Sequence, residues 1–202
     1  MPRNRNPAAS DLVVFQFKIT LLGIEPEIWR RIQVFDGSLE DLHDHIQGAM
    51  GWENAHLHQF EIDRQRYSNH EYQLDGWEDD DSLDANELRL SELLSRRRKS
   101  LRFSYEYDFG DGWRHQIAYE GKSAAESGVD YPRCIDGARA CPPEDCGGPW
   151  NYPNVLAAMR DPDHEQYEHW NEWIGEFDSE RFDVATATRR MQHGRCEEEI
   201  GD

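Results

Sequence analysis

Residues 101–119 read LRFSYEYDFGDGWRHQIAY, and their alternation decides the fold class. Leu101, Phe103, Tyr105 and Tyr107 alternate with Arg102, Ser104 and Glu106. Trp113, His115, Ile117 and Tyr119 do the same against Arg114, Gln116 and Ala118. A period of two places alternate side chains on opposite faces, which is the signature of a strand. Phe109-Gly110-Asp111-Gly112 lies between the runs, and glycine there permits the positive φ of a tight turn. The stretch therefore predicts a β-hairpin that turns Trp113, His115 and Ile117 toward a core.

The flanking sequence extends that sheet. Val13–Leu22 is an apolar, β-branched run, and Ile28–Val34 continues it with Ile28, Ile32 and Val34 on one face and Arg30 as the exception. Ser38 and Asp41 fit a capping box, Leu39, Leu42, Ile46 and Met50 recur at helical spacing, and Gly51 stops the helix. Ala55–Ile62 reads as a further strand with His58, Phe60 and Ile62 on one face. Leu88–Leu94 is a short helix or turn, and Asp75–Asp84 an exposed acidic loop. Beyond Tyr131-Pro132 comes a loop rich in Cys, Pro and Gly, and then the period becomes helical in Pro153–Arg160, His164–Ile174 and Phe182–Met191. Strands come first and helices last. The expected class is α+β: a mainly antiparallel sheet with hairpins, a helix after the second strand, and helices grouped in the C-terminal third. Residues 1–11 are expected to be a disordered leader, 12–192 one α+β domain, and 193–202 an acidic tail.

Charge narrows the function classes. The formal net charge is −19, with seven acids and no base in Asp75–Glu87, and thirteen acids against four bases from Asp161 onward. Nonspecific nucleic-acid binding rests on basic neutralisation of phosphates, so this balance disfavours a nucleic-acid partner. The basic run Arg96–Lys99 reads as a solvated helix end. The expected partner is a protein, a basic one by complementarity. With no apolar run of membrane-spanning length and no signal core in MPRNRNPAAS, the expected setting is the cytoplasm, without a membrane partner. Thiols are reduced there.

Two segments carry the chemistry. The first, CIDGARACPPEDCGGPW (Cys134–Trp150), spaces its cysteines as Cys134-x6-Cys141-x4-Cys146. Three thiolates with His115 or His58 as a fourth ligand form a candidate zinc set. The alternative is three small buried groups on a turn stiffened by Pro142-Pro143. The second is the hairpin turn, where Asp108, Asp111 and His115 join Glu144 and Asp145 as candidate acid–base or cation-holding groups. Trp113, Arg114 and Arg133 are candidate binding residues. His56 and His58, two apart, read as a polar rim on one side of a strand. The Asp108-Phe109-Gly110 triplet has no phosphate loop or H-R-D sequence before it, so it is not a kinase element.

Four phrases in order, FQFKITLLGIEPEIWRRIQV, LEDLHDHIQGAMGWENAHLHQFEI, YEYDFGDGWRHQI and YPRCIDGARACPPEDCGGPWNY, resemble the Ri-plasmid third-open-reading-frame family, a group also labelled as TnpR-like passengers of transposons. The resemblance spans Val13 to Ile174. It implies a compact α+β domain associated with plasmids and mobile elements. Its shared signature covers Asp108–Asp111, Trp113, His115, Cys134, Gly137, Cys141–Asp145, Gly147 and Gly148, without assigning them roles, and Cys134 and Cys141 are its steadier cysteines. No catalytic signature is complete, so the leading expectation is a non-enzymatic binding module. The alternatives are a metal-dependent hydrolase or nuclease using the two loops, and a DNA-linked accessory of mobile elements.

Overall fold

The computed structural model describes residues 12–70, 81–95 and 101–193. The expected leader, the basic run Arg96–Lys99, residues 75–80 of the acidic loop, Cys196 and the tail from residue 194 lie outside these residues.

In chain order the elements are β1 (Val13–Leu21), β2 (Ile28–Val34), α1 (Leu39–Met50), β3 (His58–Ile62), β4 (Gln65–Ser68), β5 (Leu83–Asp84), α2 (Leu90–Ser95), β6 (Arg102–Tyr107), β7 (Trp113–Ala124), β8 (Arg133–Ala138), α3 (Gly148–Arg160), α4 (Tyr167–Ile174) and α5 (Val184–His193). The strands form one sheet in the order β5-β4-β3-β6-β7-β1-β2-β8. Every pairing is antiparallel except β4–β5. The fold is α+β, as the alternation predicts. The hairpin holds the register Tyr107↔Trp113, Tyr105↔His115 and Phe103↔Ile117.

One face of the sheet is buried. Phe17, Ile19, Leu21, Ile28, Ile32, Val34, Phe60, Tyr105, Tyr107, Trp113 and Ile117 line it together with α1 residues Leu39, Leu42 and Ile46. Helix α5 packs across α1 and β8 on that side. The opposite face carries a polar ladder: Arg31 pairs with Glu120 at 2.8 Å and Asp136 at 3.0 Å, and Gln33 donates to Gln16 at 2.9 Å. A solvated face opposite a helix-covered one is how an antiparallel sheet tolerates alternation.

Local chemistry fixes α1. The Ser38 hydroxyl accepts from Asp41 N, and the Asp41 carboxylate accepts from Ser38 N, so both halves of the capping box are present. Gly51 ends the helix with φ 101°. Arg30, the polar exception on the buried face of β2, is 1% exposed. Its Nε donates to Ala49 O at the end of α1, its Nη1 donates to Trp29 O and Ala138 O, and its guanidinium lies 3.9 Å from the Phe182 ring centroid. It ties helix to sheet through three carbonyls and an aromatic face.

Several elements depart from the sequence expectations. The loop expected after Tyr131-Pro132 begins with edge strand β8, set by pairing with β2, because RCIDGA has no alternation of its own. Asp63 and Arg64 turn β3 into β4 with φ 54° and 68°, a primed turn built without glycine. Leu83-Asp84, inside the expected acidic loop, pairs with β4. Helix α3 starts at Gly148, so Pro153, expected at its start, sits inside it while Pro149 occupies the first turn.

Candidate functional site

The hairpin turn, the Cys141–Gly148 loop and the segment before β3 meet at one end of the sheet. Asp108 leaves β6 with φ 55°. Its Oδ1 accepts from Gly110 N at 2.9 Å and Asp111 N at 3.3 Å, an Asx turn that locks the bend. Its N donates to Leu57 O at 2.9 Å, binding the turn to the pre-β3 segment. Asp111 faces the other loop, its Oδ2 accepting from Gly147 N at 3.1 Å.

Four contacts hold the second loop in place. Trp52 Nε1 donates to Pro142 O at 3.0 Å. Glu144 Oε1 accepts from Glu53 N at 2.8 Å and from the Tyr107 hydroxyl at 3.0 Å. Trp173 Nε1 donates to Glu144 O at 3.5 Å. Burial pushes the Glu144 carboxyl up; the bonds from Glu53 N and Tyr107 oppose this without cancelling it. Burial, helped by the charge of Glu144, likewise carries the Tyr107 phenol above its usual range.

His56 sits where the three segments converge. Its Nε2 lies 3.2 Å from Asp145 Oδ1, 3.8 Å from Asp108 Oδ2 and 3.9 Å from Glu144 Oε2. Neither His56 Nε2 nor Glu144 Oε2 has an aligned hydrogen-bond partner, although both atoms are shielded from solvent. Asn54, Asp108 and Asp145, with φ 56°, 55° and 53°, are left-handed. Asn and Asp adopt that conformation more readily than most residues. Exposed apolar side chains flank the junction: Leu57, Phe109 and Trp173, with Trp150 in the first turn of α3. Trp52–Asn54 also line an open groove of about 500 Å³, walled by Asp44, Glu53 and Arg190 among others.

Of the five sequence candidates, the structure brings Asp108, Glu144 and Asp145 together. Asp111 braces the junction rather than facing His56. His115 is fully buried and neutral, its pKa held at about 3 by burial; the backbone of Tyr105 and Trp113 favours the charged ring weakly without making an aligned hydrogen bond. The expected pairing of His56 with His58 does not occur, because β3 begins at His58 and strand parity does not reach residue 56. His56 is the site residue that parity reasoning misplaced.

His58 belongs to a second group. Its ring stacks on His43 at 3.5 Å and 9°, and its Nε2 lies 3.1 Å from Glu40 Oε2. His43 uses both nitrogens, one with the Tyr105 hydroxyl at 2.8 Å and one with Asn54 Oδ1 at 2.7 Å. Desolvation and the neighbouring His58 depress its pKa to about 3, so it is neutral, with Nε2–H donating to Asn54. Asn69 donates to Glu40 at 2.7 Å. Burial raises the Glu40 carboxyl, but bonds from His58 and Asn69 and the charge of His58 overcome it, leaving it below the usual range. This network holds Asn54, and through it the segment that carries His56.

The other candidates lie apart. Cys134 is buried in β8, where its N donates to Thr188 Oγ1 and its thiol donates to Asp136 O. Cys146 is fully buried and Cys141 half-buried. Burial raises the Cys134 and Cys141 thiols and pushes Cys146 up to about 12, so all three are protonated. Among the described residues, the donor groups that converge within 4.8 Å are Glu40–His43–His58 and His56–Asp108–Asp145; no cysteine joins either. Trp113 is a core residue. Arg114 is largely exposed and pairs with Glu106 at 3.4 Å. Arg133, at the other end of β8, donates to Gln33 at 2.7 Å and pairs with Glu126.

The model of the plasmid pRiA4b ORF-3-like protein family matches residues 13–186. An uncharacterized protein, y4hQ, of Sinorhizobium fredii (strain NBRC 101917 / NGR234) is 39% identical over 176 residues, covering 86% of each chain. A crystal structure of a protein of unknown function, MM3350 from Methanosarcina mazei Go1, superposes with a TM-score of 0.75 at 36% identity, covering 86% of this chain and 97% of that one. Among the described residues, no helix is long and apolar enough to cross a membrane.

Proposed function

We propose that this chain, which belongs to the plasmid pRiA4b ORF-3-like protein family, is a non-enzymatic binding module that docks a basic protein segment at the junction of its two signature loops. The observation that carries this reading is the pairing of converged carboxylates with exposed aromatics. Asp108, Glu144 and Asp145 face one point, while Phe109, Trp173 and Leu57 stand exposed beside them. Carboxylates supply charge-assisted acceptors for a guanidinium or ammonium. Indole and phenyl faces attract the same cations and cover their aliphatic stems.

The surroundings favour the same partner. From Cys141 to Asp178 the chain carries nine acids and one base, a field that steers basic segments toward this end and repels polyanions. The groove lined by Trp52–Asn54 adds the acids Asp44 and Glu53, alongside one cation, Arg190.

The test is calorimetric titration with a lysine- and arginine-rich peptide at two salt concentrations. Saturable binding is expected that weakens at least five-fold in Asp145→Asn and again at high salt. An acidic peptide of equal length should not bind. Equal binding by wild type and Asp145→Asn, or tighter binding of the acidic peptide, refutes the reading. Turnover of phosphoesters that Glu144→Gln abolishes would replace it with the hydrolase alternative.

A further inference from the structure

We propose that His56, Asp108 and Asp145, with Glu144 beside them, form a binding site for one divalent transition-metal ion of the zinc type. The proposal needs only the donor atoms and stands whether or not a basic segment docks here.

Distances come first. Zinc binds histidine nitrogen and carboxylate oxygen at about 2.0–2.2 Å, so two donors on one tetrahedral ion lie about 3.4 Å apart. From His56 Nε2 the three carboxylate oxygens stand at 3.2, 3.8 and 3.9 Å. The ligand atoms of His56, Asp108 and Asp145 lie within 4.8 Å of one another, so side-chain movements of up to about an ångström close such a shell, and Asp145, with its side chain about half exposed, has room to make them.

The division of labour within each side chain points the same way. Asp108 commits Oδ1 to Gly110 N and Asp111 N and turns Oδ2 toward His56. Glu144 commits Oε1 to Glu53 N and the Tyr107 hydroxyl and turns Oε2 toward His56. In both, one oxygen is held by the scaffold and the other is aimed at a common point. That is the arrangement by which outer hydrogen bonds orient metal ligands. Two of the atoms facing that point, His56 Nε2 and Glu144 Oε2, are shielded from solvent and have no aligned hydrogen-bond partner. Buried polar atoms are ordinarily satisfied, and a cation between them supplies what the protein does not.

The second donor group is a useful contrast. In Glu40–His43–His58 both His43 nitrogens are engaged, by Tyr105 and Asn54, and Glu40 Oε1 is held by Asn69. Its two imidazoles stack nearly parallel, so their in-plane lone pairs do not converge on one ion. Proximity brings both groups together, but engaged nitrogens and parallel rings count against the Glu40 group, while uncommitted oxygens favour the His56 group. One imidazole with carboxylates suits zinc or its first-row neighbours, whereas calcium and magnesium prefer all-oxygen shells. The ion would occupy the oxygens a basic side chain needs, so metal and peptide compete.

The test is zinc titration of chelator-treated full-length protein against a chromophoric zinc indicator, with folding of each variant checked by circular dichroism. One equivalent is expected to bind. His56→Gln and Asp145→Asn should each weaken it at least ten-fold, while Cys134→Ser, in β8 and outside both loops, keeps wild-type affinity. The cobalt-loaded protein should lack thiolate charge-transfer absorption. No binding by wild type, unchanged affinity in His56→Gln and Asp145→Asn, or loss of binding in the cysteine variant overturns the proposal. Failure of the zinc-free wild type to bind the peptide, with its zinc binding intact, would refute the docking reading alone.

Discussion

Replacing Gly148 with alanine tests how tightly the two loops are fitted together. Gly148 has φ 72°, and a Cβ there would lie 2.1 Å from the Asp111 carbonyl oxygen and 3.0 Å from its carbon. Those are backbone atoms of the hairpin turn, so no side chain can swing aside. A left-handed alanine costs about 1–2 kcal/mol, and forcing atoms into a filled space costs about 1–3 kcal/mol more. Gly112→Ala is the control: φ is 69°, yet nothing lies within 4 Å of its Cβ, so only the backbone cost remains. Subtracting the control isolates the contact between the loops, and the expected difference is about 1–3 kcal/mol. Urea unfolding followed by tryptophan fluorescence reads both variants, and the linear extrapolation gives each loss. Gly148→Ala should also weaken peptide binding, because Asp145 and Trp173 are anchored by the loop that must move, while Gly112→Ala should leave it nearly unchanged. Equal destabilisation by the two substitutions would refute the claim that the loops are in close backbone contact.

Other consequences follow from the same structure. Arg30→Met leaves the Ala49, Trp29 and Ala138 carbonyls without the guanidinium; a loss of about 3 kcal/mol is expected in urea unfolding, and less than 1 would contradict the three bonds. Burial holds the folded-state pKa of His115 at about 3 against an ordinary value of 6.5, so below pH 6.5 the unfolded chain takes a proton that the folded one refuses. Stability is fully present above that pH and falls on descent toward about 3; this residue alone costs about 2 kcal/mol by pH 5, and His115→Leu should flatten the stability–pH profile by nearly one proton. Ser38→Ala removes the acceptor for Asp41 N and should cost about 1 kcal/mol, seen as a lower urea midpoint.

What the sequence revealed, and what it hid, follows the physics of each element. The β6–β7 hairpin, β1, β2 and α1 were legible because alternation, helical spacing and the Ser38–Asp41 box are local patterns. Strands β4, β5 and β8 were not. They are short or edge strands whose position comes from partners, and the Asp63-Arg64 turn lacks the glycine that signals a primed hairpin. The meeting of the two signature loops was legible as a grouping of Asp108, Glu144 and Asp145. His56 was misplaced because a two-residue spacing suggested a shared strand face that the chain does not continue that far. The alternation of β7 already turned His115 toward the core between Trp113 and Ile117, where it is sealed; its place among the acid–base candidates came from its nearness in sequence to Asp108 and Asp111, which the parity of the strand overrides.

In the proposed docking, a basic segment sits where the hairpin turn, the Cys141–Gly148 loop and His56 converge. Heteronuclear NMR of the labelled protein during titration with a lysine- and arginine-rich peptide tests it most directly. Saturable shifts are expected, concentrated at the Trp173 indole, His56, Asp108–Gly110 and Glu144–Gly148, with the polar ladder of Gln16, Arg31 and Gln33 unmoved. Shifts that gather on that ladder, or spread evenly over the exposed acids from Asp161 to Asp178, would contradict it.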